Sequence, residues 1–304
     1  MAQKKKSPAK KQHTPDYYPV QRTIPLSGTL AANGQIISGT MVADAGKMLS
    51  ITNRRLYRYG MRYRIKLDLE ISEAVTSGFD VEVFALQDNW DTQRAFALAK
   101  ATYDEAYADE LKHTKKGNLA RWRDFRCDDG VTGAIDLFPV IIDNTSLSET
   151  TNSLGQFVES GVDVGGTEKR FTWGLATGST LDIKNEWIVS GRTGQDPALI
   201  SNAAPYDGVN SDSMSNIEME NLGGDGNFPP YGQTSSSDML RRVGIMRYEP
   251  GPTGLQRIST GYFDAPCGLF VIKVTPGINL SAGSVVLTAQ SGDYKGIAAD
   301  KMCQ

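Results

Sequence analysis

The stretch Leu56–Leu69, LYRYGMRYRIKLDL, decides the fold. Every odd position from Tyr57 to Ile71 is apolar or aromatic, and the even positions between them are Arg58, Gly60, Arg62, Arg64, Lys66, Asp68 and Glu70. Alternation with a period of two predicts a β-strand with one face in a core and the other in water. At ~3.3 Å per residue the run would extend about 50 Å, beyond the usual strand length, so a bend or bulge is expected, most naturally at Gly60.

The polar row of this strand is basic. Like charges two residues apart repel unless something anionic neutralises them. Asp68 and Glu70 interleave at one end, but no acid interrupts Arg58 to Lys66. Arg54 and Arg55 extend the row, and Arg22 is expected to join it. Two readings stand: an ordinary solvated face, and a surface that meets phosphate through Arg22, Arg54, Arg55, Arg58, Arg62, Arg64 and Lys66. The second is preferred. Tyr57, Tyr59 and Tyr63 point to the core by the same alternation, so base stacking is not expected of them.

Charge is segregated along the chain. Of its 32 basic residues 13 lie in residues 1–66, with Asp16 and Asp44 as the only acids there. The rest of the chain holds the other 19 bases and 33 of the 35 acids. A net charge of −3 thus conceals a basic end and an acidic remainder. Residues 1–15, MAQKKKSPAKKQHTP, carry Lys4, Lys5, Lys6, Lys10 and Lys11 and too little apolar surface for a core. They read as part of a disordered basic arm spanning 1–19. A solubilising tail, a nucleic-acid-binding arm and a Lys-rich nuclear import signal all fit that composition.

From Val20 onward the sequence reads mostly as strands: Val20–Leu30, Gln35–Val42, Arg54–Ile71, Phe79–Leu86, Ile135–Ile142, Phe171–Leu175, Leu181–Val189, Val243–Tyr248, Ile258–Phe263, Leu269–Val274 and Val285–Gln290. Many short strands with Gly and Pro between them predict an all-β sandwich or barrel over residues 20–304. Asp91–Lys112 is the exception, an Ala- and Leu-rich helix with Asp91 as N-cap and Phe96, Ala99, Tyr103 and Tyr107 on the face toward the sandwich. Residues 190–238, rich in Gly, Ser and Asn, read as one long loop.

Enzyme chemistry is not expected. The only histidines are His13 and His113, and no Cys/His cluster has zinc spacing. The stretch Asp44–Ser50, DAGKMLS, lacks the first glycine and the Ser/Thr of a phosphate loop. No catalytic residue, metal or cofactor is assigned. Cys127, Cys267 and Cys303 predict no disulfide framework. No apolar run approaches bilayer length, so no membrane partner is expected. The N-terminus lacks the apolar stretch of a secretory leader.

Several stretches resemble the capsid proteins of small circular single-stranded DNA viruses that encode a rolling-circle replication protein. They are FALQDNWDTQRAFALAKATYDEAYADE (Phe84–Glu110), LARWRDFRCDDG (Leu119–Gly130), GLFVIKV (Gly268–Val274) and SGDYKG (Ser291–Gly296). The resemblance is one of pattern and order over about half the chain. It implies a single jelly roll of two four-stranded sheets, with one inserted helix after the strand Phe79–Leu86 and long surface loops. It also implies a basic arm inside an icosahedral shell of many copies, sixty in the simplest shell, around single-stranded DNA. The implied locations are the virion and, during assembly, the host nucleus. The short, Lys-based arm departs from the long Arg-rich arms of better-known members. Sixty copies of residues 1–66 would bring on the order of 700 net positive charges, enough to neutralise part of a genome of a few thousand nucleotides. Two alternatives remain: a jelly-roll capsid of an RNA virus, and a carbohydrate-binding β-sandwich using Trp90, Trp122, Trp173 or Trp187.

Overall fold

The computed structural model describes residues 19–28, 39–71, 78–113, 122–142, 145, 149–151, 157–174, 177–192, 239–249, 256–274 and 283–303. Lys4, Lys5, Lys6, Lys10 and Lys11, nearly all of the expected arm 1–19 and most of the expected loop 190–238 lie outside these residues. In chain order the elements are β1 (Thr23–Gly28), β2 (Gly39–Asp44), α1 (Ala45–Asn53), β3 (Met61–Ile71), β4 (Phe79–Leu86) and α2 (Trp90–His113). Next come β5 (Ile135–Ile142), β6 (Glu149–Thr151), β7 (Gly161–Val164), β8 (Thr167–Thr172), β9 (Thr180–Asp182) and α3 (Ile183–Arg192). The chain continues through β10 (Leu240–Tyr248), β11 (Gln256–Pro266), β12 (Leu269–Val274), β13 (Gly283–Ala289) and β14 (Ala299–Lys301).

The pairing is nested. β1 bonds to β13, β2 to β12, β3 to β11 and β4 to β10, all antiparallel. The chain from β1 to β13 thus forms one long hairpin that rolls up when β13 also pairs with β3 and β12 with β4. Two four-stranded sheets result, β1-β13-β3-β11 and β2-β12-β4-β10. This is an all-β jelly roll. β5 closes one side by pairing antiparallel with β1 and parallel with β2. β10 and β11 stand at the two ends of the strand path.

The alternation of β3 fixes the first core. Tyr63, Ile65, Leu67 and Leu69 are buried between the sheets with Val81 and Val83 of β4 and Phe270 and Ile272 of β12. A second core lies on the other face of β2-β12-β4-β10. There Val42, Leu269 and Val271 meet Phe96 and Ala99 of α2, together with Phe125, Phe171, Trp173 and Ile183. The whole region between β4 and β10 is therefore an insertion at the tip of the rolled hairpin, and its aromatic cluster docks on the sandwich. The Phe96 and Trp173 rings stack at 6.3 Å, and Trp173 Nε1 donates to the Tyr59 hydroxyl at 2.8 Å. The bend expected at Gly60 lies there: β3 begins at Met61, and a Cβ on Gly60 would sit 2.9 Å from the Phe96 ring.

Several local expectations need correction. Three helices stand among the described residues where one was expected. Leu181–Val189 is a strand only to Asp182, whose side chain then accepts from the Lys184 and Asn185 N–H groups and starts α3. Ile183 and Trp187 are four apart, so that stretch satisfies a helical period as well as an alternating one. α1 arises where only a rejected phosphate loop was read. Asp44 caps it, accepting from Lys47 N–H at 3.0 Å. In α2 the capping oxygen belongs to Asn89, which accepts from Thr92 N–H, whereas Asp91 is buried beside Lys184. Of the outer tyrosines of that helix, Tyr103 packs against the second core through Phe125 at 5.5 Å, and both Tyr103 and Tyr107 lie under the Arg123 guanidinium.

Gly130 and Gly133 provide a test of the insertion's packing. Both have positive φ, +72° and +73°, but a Cβ on Gly130 would lie 2.1 Å from Gly174 N while one on Gly133 meets open space. Gly133→Ala should therefore cost only the left-handed strain, about 1–2 kcal/mol. Gly130→Ala should cost at least about twice as much, because backbone must move as well. Denaturant titration of the two variants measures the difference, and equal losses would contradict the close approach.

Candidate nucleic-acid interface

The outward row of β3 is neutralised within the subunit. Arg62 pairs with Asp88 at 2.8 Å, Arg64 with Asp264 at 3.1 Å, and Lys66 with Asp68 at 2.9 Å. Arg58, just before the strand, pairs with Asp124 at 3.3 Å. Asp68 is only 1% exposed and also accepts from Arg257 at 2.7 Å, while Arg257 reaches Glu70 at 3.5 Å. The premise that this row lacks compensating acids is therefore corrected. Its acids come from elsewhere in the chain, 26, 66 and 200 residues away for Arg62, Arg58 and Arg64. The exposed Arg64–Asp264 pair adds little stability, but all of these pairs cancel the charge that an anion would seek.

Positive charge is left over at one corner of the sandwich. Three segments meet there: residues 21–22, the end of α1 with the chain up to Arg58, and the turn 293–297. Gln21 N–H donates to Asn53 Oδ1 at 2.8 Å, and Arg22 Nη1 donates to the Gly296 carbonyl at 3.3 Å. Lys295 Nζ donates to the Leu56 carbonyl. Arg54, Arg55 and Arg58 are exposed, and Arg22 and Lys295 are half-buried. Among the described residues Arg22, Arg54, Arg55 and Lys295 form no ion pair, and Arg58 has only Asp124. Asp293 lies in the same turn and likewise joins no ion pair among them.

Tyrosine hydroxyls hold this corner in place. Tyr63 Oη donates to the Arg58 carbonyl, and Tyr57 Oη donates to the Lys295 carbonyl at 3.1 Å. Arg58 N–H donates to Tyr294 Oη at 3.1 Å, and Tyr57 N–H to Ser50 Oγ at 2.8 Å. The aromatic row of the opening sequence thus has two roles: its rings fill the cores and its oxygens fix the basic backbone. Arg54 ends α1 with φ +51°, its N–H bonded to the Ser50 carbonyl. Burial, followed by the Arg55 and Arg58 charges, pushes the Lys295 ammonium below its ordinary pKa. A phosphate there would relieve that like-charge crowding.

Of the twelve residues expected to meet nucleic acid, Arg22, Arg54, Arg55 and Arg58 gather at the corner. Arg62, Arg64 and Lys66 lie in the neutralised row, and the five lysines fall outside the described residues. Lys295 is the member that sequence reasoning missed. It lies 239 residues from the carbonyl it contacts, and only the fold reveals the proximity. The described chain begins at Pro19, two residues from Gln21, so the N-terminal segment connects to it near this corner. Comparison with family models, with curated proteins and with solved structures found no match to the chain.

Two outcomes are expected. Binding of a single-stranded oligonucleotide should weaken with salt. Replacing Arg54, Arg55 and Lys295 by Gln should reduce the log–log salt slope by about 2, at ~0.7 per phosphate contact. Arg62→Gln with Arg64→Gln should leave it nearly unchanged, and fluorescence anisotropy reads both; a larger loss from the β3 pair would contradict the assignment. The second outcome concerns acid. Burial raises the Asp68 and Asp88 carboxyls, but hydrogen bonds from Arg257 and Lys66 to Asp68, and from Arg62 and Gln93 to Asp88, outweigh it and hold both below 3.8. Their stabilisation is complete above about pH 4 and is lost as pH falls through the folded pKa values. Melting temperature should therefore drop below pH 4, less steeply in Asp68→Asn.

Proposed function

We propose that this chain is the coat subunit of an icosahedral viral shell that packages single-stranded nucleic acid, DNA by the resemblance noted above. The observation that carries the proposal is the nested order of the eight sandwich strands, an architecture used by capsid subunits, with a basic corner where the Lys-rich N-terminal segment joins. The jelly roll also serves lectins and cupins, so the charge must separate these uses. A basic segment that joins beside unpaired arginines suits a polyanion and has no part in binding neutral sugar on a tryptophan platform. Two of the four tryptophans are not free to make such a platform in the flat, parallel manner a sugar ring needs: Trp173 is buried in the second core, and Trp90 meets Trp187 edge to face at 5.4 Å.

Neutralisation would be sequence-independent, through phosphate alone. Lys4, Lys5, Lys6, Lys10 and Lys11 of the N-terminal segment, with Arg22, Arg54, Arg55 and Lys295 of the corner, would supply ~500 charges in sixty copies. Contacts between copies need interfaces of more than ~1,000 Å². Apolar side chains suited to them remain exposed on the monomer: Ile142 and Val158 in the insertion, and Ile245 and Tyr262 on the terminal strands β10 and β11.

Expression in a heterologous host should yield uniform particles, visible by electron microscopy, with the ultraviolet absorbance of nucleoprotein. Deleting residues 1–15 should lower the packaged nucleic acid and leave the fold intact. Soluble monomers across a range of salt and pH would overturn the proposal. Digestion of the nucleic acid extracted from native particles by ribonuclease rather than deoxyribonuclease would favour an RNA-virus shell of the same fold.

A further inference from the structure

One carboxylate is ion-paired at the basic corner, and it comes from the insertion. Asp124 lies between α2 and β5, its side chain only 8% exposed. Its Oδ2 accepts from the Tyr59 N–H at 2.6 Å and its Oδ1 from Arg58 Nη1 at 3.3 Å. Arg58 Nη1 also donates to the Arg123 carbonyl at 3.1 Å. The Arg58 side chain is 55% exposed, and Nη1 is its only side-chain nitrogen hydrogen-bonded among the described residues. The guanidinium is therefore accessible to an incoming phosphate, but Asp124 already neutralises it.

Asp124 has two opposing effects on phosphate binding. It helps to position Arg58, and it competes with phosphate for the same charge. Positioning survives without it, because the Arg123 carbonyl holds the same Nη1. Competition does not, since no other carboxylate pairs with Arg58 among the described residues. The charged and titratable groups around Asp124 are Arg58 and Tyr59 before β3, Tyr63 of β3, Arg126 of the insertion, and Tyr294 and Lys295 of the turn 293–297. Burial pushes the Asp124 carboxyl above its ordinary 3.8, although the Tyr59 N–H and the Arg126 and Arg58 charges pull it down. A carboxyl raised by folding lends stability that is complete below 3.8 and is lost as pH rises through the folded value, so protonating it does not loosen the fold. A phosphate beside Arg58 adds negative charge and raises the carboxyl further. Phosphate binding and protonation of Asp124 thus favour one another.

We propose, on the nucleic-acid reading of that corner, that Asp124 is a built-in competitor for polyanion, an autoinhibitory contact through which the insertion weakens phosphate binding at Arg58. Fluorescence anisotropy of the purified full chain with an oligo-dT probe, whose bases take up no proton in weak acid, tests it. Asp124→Asn keeps an acceptor for the Tyr59 N–H and removes the charge. At neutral pH it should bind about two- to fivefold more tightly, the worth of one exposed ion pair, with a log–log salt slope larger by ~0.7. The gain should vanish in an Arg58→Gln background. Wild-type affinity should rise as pH falls, and the Asn variant should respond less over the same range. Unchanged or weaker binding by Asp124→Asn, or an equal gain in the Arg58→Gln background, would overturn the proposal. Should the Asn variant not fold, calorimetry of the wild type in two buffers of different protonation enthalpy decides: proton uptake on binding that Arg58→Gln abolishes supports the contact, and its absence overturns it. If wild type and variants alike fail to bind oligo-dT, the nucleic-acid reading falls and this contact with it. Binding that depends on Arg54, Arg55 and Lys295 but not on Asp124 sinks the autoinhibition alone.

Discussion

At the centre of one sheet β12 is buried on both faces over Leu269–Ile272, and the placement of the insertion follows from that constraint. In β12 the side chains of Leu269, Phe270, Val271 and Ile272 are all within 3% of complete burial, with Phe270 and Ile272 in the inter-sheet core and Leu269 and Val271 under the insertion. A strand with no polar face cannot lie at a surface. The insertion between β4 and β10 is thus required by the jelly roll it decorates: without Phe96, Phe125 and Trp173 over it, β2-β12-β4-β10 would expose an apolar sheet. The other sheet has no such cover among the described residues. Its outward row is polar and satisfies its own charge.

That difference sorts the charges of the molecule. Regular strand pairing sets residues from distant parts of the chain at fixed register, so Arg64 of β3 lies directly opposite Asp264 of β11. Bases and acids on neighbouring strands then cancel, as they also do between Arg247 of β10 and Asp80 of β4. Four cations off the ladder join no ion pair among the described residues. Arg54 and Arg55 follow a helix end, Lys295 lies in a turn, and Arg22 precedes β1. Positive potential therefore gathers where strands stop, which is also where the N-terminal segment joins.

Periodicity makes much of the fold legible. The bounds of β4, β5 and β12 agree with the apolar runs that suggest them, and α2 differs from its expected span by one residue at each end. Those elements are long or unambiguous in pattern. α3 is misread because a short run containing Leu181, Ile183 and Trp187 fits both periods, and its cap, Asp182, occupies a position that alternation assigns to the wet face. α1 is missed because DAGKMLS draws attention as a failed motif, although Asp44 carries the capping signal. The site is legible only in part. Arg22, Arg54, Arg55 and Arg58 are visible as a basic cluster in sequence, but Asp88, Asp124 and Asp264 lie too far along the chain for their pairing to be read there. Lys295 joins the site only after folding.

The central claim is that polyanion meets the corner at the strand ends and not the outward row of β3. Photocrosslinking of single-stranded DNA to the purified protein, with the adducts mapped by mass spectrometry, measures this directly. The account predicts adducts in residues 1–22, 54–58 and 293–297, with none on Arg62, Arg64 or Lys66. Adducts concentrated on the β3 row, or on the acidic face of the insertion, would contradict it.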